Sequence, residues 1–110
     1  VEAVAQAAAL PIVVFGHAGN GYFHVNILFH PDDPGESTRA HATLPRLFEL
    51  VLLLGGTLSG EHGIGVAKRD YMTRAFDPAT LAAMQAIKAA LDPAGILNPG
   101  KLLPASENPT

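Results

Sequence analysis

The feature that most constrains the fold is an Asn-Gly pair, Asn20-Gly21, placed between two apolar stretches. Asn-Gly favours a two-residue hairpin turn, because both central positions of that turn need a positive φ. The stretch before the pair, IVVFG (12–16), is rich in β-branched residues, and the stretch after it, YFHVNILFH (22–30), alternates. Its faces carry Phe23, Val25, Ile27 and Phe29 on one side and His24, Asn26, Leu28 and His30 on the other. The sequence therefore predicts an antiparallel hairpin with one buried face.

Helical patterns lie near both ends of the chain. VEAVAQAAAL (1–10) predicts the end of a helix that Pro11 stops. Farther along, Asp77 is an expected N-cap, followed by Pro78 at the first helical position. This helix stops at Asp92-Pro93. One of its faces carries Leu81, Met84, Lys88 and Leu91, with the lysine interrupting the apolar pattern.

The start of the middle helix is ambiguous. Apolar residues recur at helical spacing from Leu44 to Leu54, and Gly55-Gly56 ends the helix. Either the helix begins near Thr43, with Pro45 in its first turn, or a longer helix is kinked at Pro45. We expect PDDPGES (31–37) to be a loop. The order helix, strand, strand, helix, loop, helix predicts an α+β fold with an antiparallel hairpin packed with helices.

The hairpin also predicts a place for a metal ion. A two-residue turn puts His17 directly opposite His24, with Cβ atoms about 5 Å apart, and Asn26 on the same face. Two imidazoles at that separation can share one ion, but a useful divalent site needs a third protein ligand and an open position. Glu61, in the glycine-rich loop GTLSGEHGIG (56–65), is the natural third ligand, and His62 would then serve as a general base.

A purely structural interpretation of the histidines stays open. In it, His17 and His24 cap strand ends and hydrogen-bond to the backbone. The remaining two histidines, His30 and His41, are expected to be solvated.

Composition limits the partners of the chain. Its 110 residues fit one domain or part of one, and only 15% are charged, against about 25% in ordinary domains. Either one face meets another domain or chain, or the sequence comes from an alanine- and leucine-rich genome. The net charge of −3, with scattered basic residues, argues against nucleic acid, and the absence of cysteine excludes disulfides and thiolate metal sites. A start at Val1, inside a helical pattern, indicates a fragment or a processed product.

Three segments, in this order, carry a resemblance to a known family: GHAGNGYFHVNI (16–27), GGTLSGEHGIGVAK (55–68) and LDPAGILNPGKLLP (91–104). Together they resemble the C-terminal domain of the FAD-linked oxidases related to vanillyl-alcohol oxidase. The branch they resemble comprises D-lactate dehydrogenase, the flavin-containing GlcD component of glycolate oxidase, and D-2-hydroxyglutarate dehydrogenase. The resemblance implies that residues 1–104 form the C-terminal part of a ferredoxin-like cap domain plus C-terminal helices. Residues 105–110 are then a polar tail.

The resemblance also implies roles for individual residues. The metal ligands are His17, His24 and Glu61, holding zinc or manganese, and His62 is the base that takes the hydroxyl proton. Asn26 contacts substrate, and Asn98 and Lys101 lie in a segment that returns toward the flavin. Between the two histidines the family has Gly-Asp-Gly-Asn, where this chain has Gly19-Asn20-Gly21-Tyr22. The bulky Tyr22 puts a flavin or substrate contact at that position in doubt.

The implied function is FAD-dependent oxidation of a D-2-hydroxy acid, of the D-lactate or glycolate type, with hydride transfer to the flavin. FAD would be bound mainly by a domain outside this sequence, so the piece alone is expected to be inactive and to form a homo-oligomer. The expected electron acceptor is a quinone, a cytochrome or an electron-transfer flavoprotein. The expected location is the cytoplasm or the inner membrane face. Two other interpretations stay open: a stand-alone metal-binding module or small metal-dependent hydrolase, and a non-catalytic oligomerisation fragment.

Overall fold

The computed structural model describes residues 1–105. Within that range the architecture is α+β, as predicted, with four α-helices and one two-stranded antiparallel sheet. The elements are α1 (Glu2–Ala8), β1 (Ile12–His17), β2 (Tyr22–Ile27), α2 (Pro34–Leu53), α3 (Met72–Ala75) and α4 (Pro78–Leu91). The chain divides into two compact units, an N-terminal unit Val1–Gly55 and a C-terminal unit from Gly56 onward. Beyond residue 105, the predicted polar tail lies outside the described residues.

The hairpin turn differs from the prediction. His17 pairs with Tyr22, so four residues rather than two connect the strands. A 3-10 turn, Ala18–Asn20, is followed by Gly21 at a φ of 72°, and the Gly21 N–H donates to the Ala18 carbonyl at 3.2 Å. Only the glycine of the Asn-Gly pair takes a positive φ. The prediction of a two-residue turn is therefore wrong, because a four-residue loop satisfies the same glycine.

The strand pairing changes accordingly. His24 pairs with Phe15, not with His17, while Ile12 pairs with Ile27 at the far end of the hairpin. Because the predicted and observed registers differ by two residues, every side chain keeps its predicted face. β2 also ends at Ile27, earlier than predicted, and the next N–H, that of Leu28, donates to the Pro11 carbonyl at 2.9 Å.

Helix α2 starts much earlier than its apolar spacing indicates. Asp33 is its N-cap, and its carboxylate accepts hydrogen bonds from the N–H groups of Gly35 and Glu36 at 2.8 and 3.0 Å. Those bonds hold the pKa of Asp33 below its ordinary value. The predicted loop at 31–37 is therefore wrong from Pro34 onward. Of the two alternatives at Pro45, the longer helix is correct, since Pro45 lies inside α2.

The core of the N-terminal unit is small and built from small side chains. Ala8, Leu10 and Ala40 form a buried cluster, and Ile27 of the hairpin packs against it. Alanines at this contact let α1 and α2 approach closely. Farther along the same face of α2, Thr43 and Leu47 are also buried.

The C-terminal unit confirms the predicted α4. Asp77 caps the helix by accepting from the Thr80 N–H at 2.7 Å, and the helix ends before Asp92. Leu81 is buried on this helix, whereas Leu91 is 77% exposed, so the predicted apolar face is wrong at its last position. The glycine-rich stretch 56–65 is a loop, as predicted. Among the described residues, no helix is both long and apolar enough to cross a membrane.

Candidate functional site

One face of the hairpin carries four aromatic rings next to the turn. We call Phe15, His17, Tyr22 and His24 the aromatic block. The Phe15 and His24 ring centroids are 5.0 Å apart, and those of His17 and Tyr22 are 5.2 Å apart. Tyr22 also meets His24 edge-on, with centroids 6.2 Å apart and ring planes at 87°. Each predicted imidazole ligand therefore packs against an aromatic ring that sequence reasoning did not include in the site.

The two histidines are diagonal neighbours rather than directly opposed residues. The predicted pairing of His17 with His24 is wrong, because Tyr22 occupies the position across from His17. Diagonal cross-strand neighbours lie about 7–8 Å apart, a separation that long side chains can still bridge. Asn26 lies on the same face, where it pairs with Val13 and is exposed. The hairpin thus gathers three of the predicted site residues on one face.

Glu61 and His62 form a close pair in the glycine-rich loop of the C-terminal unit. The Glu61 Oε1 and His62 Nε2 atoms are 3.6 Å apart, and the side chains are 45% and 70% exposed. Two glycines that follow, Gly63 and Gly65, have φ values of 76° and 57°. These left-handed conformations suit glycine and fold the backbone tightly behind the pair. Sequence reasoning assigns the two residues separate roles and does not predict this contact.

The segment with Asn98 and Lys101 folds into a turn. Asn98 has a φ of 46°, which asparagine tolerates, and the Lys101 N–H donates to the Asn98 carbonyl at 3.3 Å. The next residue, Leu102, has a φ of 67°, and its N–H donates to the Gly65 carbonyl at 2.8 Å. This bond ties the turn to the loop that carries Glu61 and His62.

Arg69 is a second tie that sequence reasoning missed. Its Nη1 donates to the Gly100 carbonyl at 2.9 Å, and its Nε donates to the Asp70 carboxylate at 3.2 Å. Its only sequence signal is its place shortly after the glycine-rich motif, which does not reveal a partner 31 residues away. Two contacts, from Arg69 and from Leu102, therefore set the position of the Asn98–Lys101 turn.

A polar atom without a partner lies in the same loop. Among residues 1–105, the buried Ser59 Oγ has no hydrogen-bond partner, while the Thr57 hydroxyl donates to the Ser59 carbonyl at 3.0 Å. Buried hydroxyls normally have a partner, so an unpaired one close to Glu61 is consistent with a polar ligand at this loop.

Comparison with known proteins identifies the class. Residues 1–102 match the family described as FAD linked oxidases, C-terminal domain, and the chain belongs to that family.

Three relatives show which members of the class it resembles. It is 46% identical over 88 residues to glycolate oxidase subunit GlcD of Escherichia coli strain K12, covering 80% of this chain and 18% of that protein. It is 46% identical over 97 residues to D-2-hydroxyglutarate dehydrogenase of Stutzerimonas stutzeri, covering 86% and 21%. It is 39% identical over 97 residues to a probable mitochondrial D-lactate dehydrogenase of Danio rerio, covering 88% and 20%. The chain spans about a fifth of the length of these relatives.

Proposed function

We propose that this domain works in an FAD-dependent flavoprotein that oxidises D-2-hydroxy acids of the D-lactate or glycolate type. The observation that carries the proposal is the Glu61–His62 pair, in a loop tied to the Asn98–Lys101 turn, in a chain of the FAD-linked oxidase family. The names of the three relatives support this substrate class. Family membership favours this function over a stand-alone metal-binding module or a hydrolase.

His62 is the proposed general base. Oxidation of a 2-hydroxy acid removes a proton from the hydroxyl group and a hydride from the adjacent carbon, and bound FAD supplies the hydride acceptor. A neutral imidazole accepts the hydroxyl proton near physiological pH. Because Nε2 of His62 faces Glu61, the proton is taken at Nδ1, and the Glu61 carboxylate stabilises the imidazolium that forms.

His17, His24 and Glu61 are the proposed ligands of a divalent metal ion, zinc or manganese. Two imidazoles and one carboxylate are a donor set that suits these ions and leaves an open position for substrate. A bound metal would act as a Lewis acid toward the substrate hydroxyl and carboxylate. Asn26, on the same hairpin face as both histidines, donates to or accepts from the substrate.

The remaining contacts lie toward the flavin and the rest of the protein. We assign Asn98 and Lys101 to the flavin side of the site, with most of the FAD held by a domain outside these 110 residues. The hairpin is then part of a larger ferredoxin-like sheet. Its valines and phenylalanines support this assignment, since Phe15 and Phe23 are more than half exposed in the two-stranded sheet.

Metal analysis of the flavoprotein tests the ligand assignment. His17→Ala and His24→Ala should each lose most of the bound metal, because each removes an imidazole from a three-ligand set. The matched control is His41→Ala, since His41 lies in α2 with its Nδ1 at 2.7 Å from the Ser37 carbonyl. Unchanged metal content and activity in both hairpin variants would contradict the assignment.

A further inference from the structure

Tyr22 touches both proposed imidazole ligands. It pairs with His17 across the sheet, which puts their ring centroids 5.2 Å apart with planes tilted by 42°. On its own strand it precedes His24 by two residues, so both side chains share a face, and its ring meets His24 edge-on at 6.2 Å. The block thus has a half-buried phenol ring between two imidazoles.

The position of His17 makes its ring dependent on an aromatic neighbour. His17 is exposed at the end of β1, and the residues that follow it, Ala18 and Gly19, have side chains too small to hold a ring. An imidazole has two rotatable bonds, and its orientation decides where a nitrogen lone pair points. An aromatic neighbour at about 5 Å restricts that orientation by offset or edge-on packing.

We propose that Tyr22 is a positioning residue, whose ring fixes the orientation of His17 and His24 for the divalent metal. This inference rests on the proposed function, because it assumes that both imidazoles are ligands. Residues that orient ligands change metal affinity without binding the ion, and their replacement typically weakens it by about 10–100-fold. The ring carries the role, so the hydroxyl group is dispensable.

Proton NMR of the imidazole carbon-bound hydrogens in the 110-residue chain tests the inference, with Zn²⁺ as the added probe. The chain has five histidines, and the signals of His30 and His41 serve as internal references. The variants are Tyr22→Phe, which keeps the ring, and Tyr22→Leu, which keeps apolar bulk without a ring. Tyr71→Phe is the matched control at the second tyrosine, and His24→Ala defines loss of the site.

Before zinc is added, the ring current of Tyr22 should displace the His17 and His24 signals in the wild type and in Tyr22→Phe, but not in Tyr22→Leu. On titration, Tyr22→Phe should bind zinc within about twofold of the wild type. Tyr22→Leu should bind about tenfold more weakly, at the lower end of the range for orienting residues. The Phe15 ring-current effect on His24, retained in Tyr22→Leu, would show that the hairpin is still paired.

The possible failures are distinguishable. If Tyr22→Leu binds as tightly as the wild type while His24→Ala does not bind, Tyr22 has no positioning role and the metal site stands. If Tyr22→Phe loses as much affinity as Tyr22→Leu, the hydroxyl acts as a ligand and the ring role is overturned. If zinc moves neither the His17 nor the His24 signal, the metal assignment fails, and the role of Tyr22 fails with it.

Discussion

Among single residues, Asp92 shows how a buried carboxylate fixes the chain after a helix. It accepts hydrogen bonds from the N–H groups of Ile96 and Leu97 at 3.1 and 3.0 Å and is paired with Lys88. The Lys88 ammonium also donates to the Leu97 carbonyl at 2.8 Å. The lysine that interrupts the apolar pattern of α4 therefore holds the segment leading to the Asn98–Lys101 turn.

Acid should weaken this clamp. The Lys88 ammonium, together with the two N–H groups, holds the pKa of Asp92 below its ordinary value of 3.8. A carboxylate with a lowered pKa in the folded state stabilises the fold above its unfolded pKa, and this contribution disappears as pH falls through the folded pKa. Asp92→Asn should therefore have a lower Tm at neutral pH. Its Tm should also fall less than that of the wild type between about pH 5 and pH 2.

Thermal unfolding followed by circular dichroism across that pH range measures the effect. The exposed Asp32 provides the control, since Asp32→Asn should keep the acid dependence of the wild type. Asp33 and Asp77 are unchanged in both variants, so the difference isolates Asp92. Parallel Tm curves for Asp92→Asn and the wild type would contradict the clamp.

Among the elements, the hairpin shows which part of the site was predictable. The period-2 alternation assigns His17, His24 and Asn26 to one face, and that assignment is correct because a shift of two residues preserves faces. The same period cannot distinguish a two-residue from a four-residue loop. The ring contacts of Tyr22 depend on that choice, so they could not be predicted from alternation.

Helix α2 gives a second example. The Asp-Pro signal at Asp77-Pro78 correctly predicts the start of α4, and the same dipeptide at Asp33-Pro34 starts α2. There the sequence favours a loop, because Gly35 follows and Pro45 offers a competing start. Proline inside a helix usually breaks or kinks it, so local propensity alone disfavours the observed 20-residue helix. Burial of Ala40, Thr43 and Leu47 within the unit outweighs that propensity.

The close approach of the two strands at Gly16 gives a prediction for the hairpin. A Cβ added to Gly16 would lie 2.5 Å from the Tyr22 carbonyl oxygen and 2.8 Å from the Phe23 Cα, both backbone atoms. Gly16→Ala must therefore shift one strand, and it should lower the free energy of unfolding by about 1–3 kcal/mol, the usual cost of overpacking. Gly19→Ala is the control, because nothing lies within 4 Å of its added Cβ.

Urea titration of both variants measures the difference. Gly16→Ala should also disturb the ring contacts of Tyr22, because the clash falls on the Tyr22 carbonyl. Equal stability of the two variants would show that the strands do not approach closely at Gly16.

At the scale of the whole molecule, many large apolar side chains are exposed. The most exposed are Leu53, Leu54, Leu91, Ile96 and Ile87, between 84% and 61%. The sheet has only two strands, and isolated two-stranded sheets are marginally stable in water. Exposed apolar surface and open strand edges favour association.

The 110-residue chain alone should therefore form dimers or larger oligomers. Burying the exposed leucines and isoleucines against a second copy removes apolar area from water, which favours association. Light scattering coupled to size exclusion, at micromolar concentrations, measures the mass. A monomer that also resists proteolysis would contradict this prediction, because it would show that the chain closes its own core.

The central claim is that His62 takes the hydroxyl proton during oxidation of a D-2-hydroxy acid by the flavoprotein. Anaerobic stopped-flow reduction of the flavin by D-lactate tests it most directly, with His41→Gln as the matched control. His62→Gln should slow flavin reduction by about 10²–10⁴-fold, the usual contribution of a general base, while His41→Gln leaves the rate unchanged. A rate within about threefold of the wild type in His62→Gln, with flavin still bound, would contradict the claim.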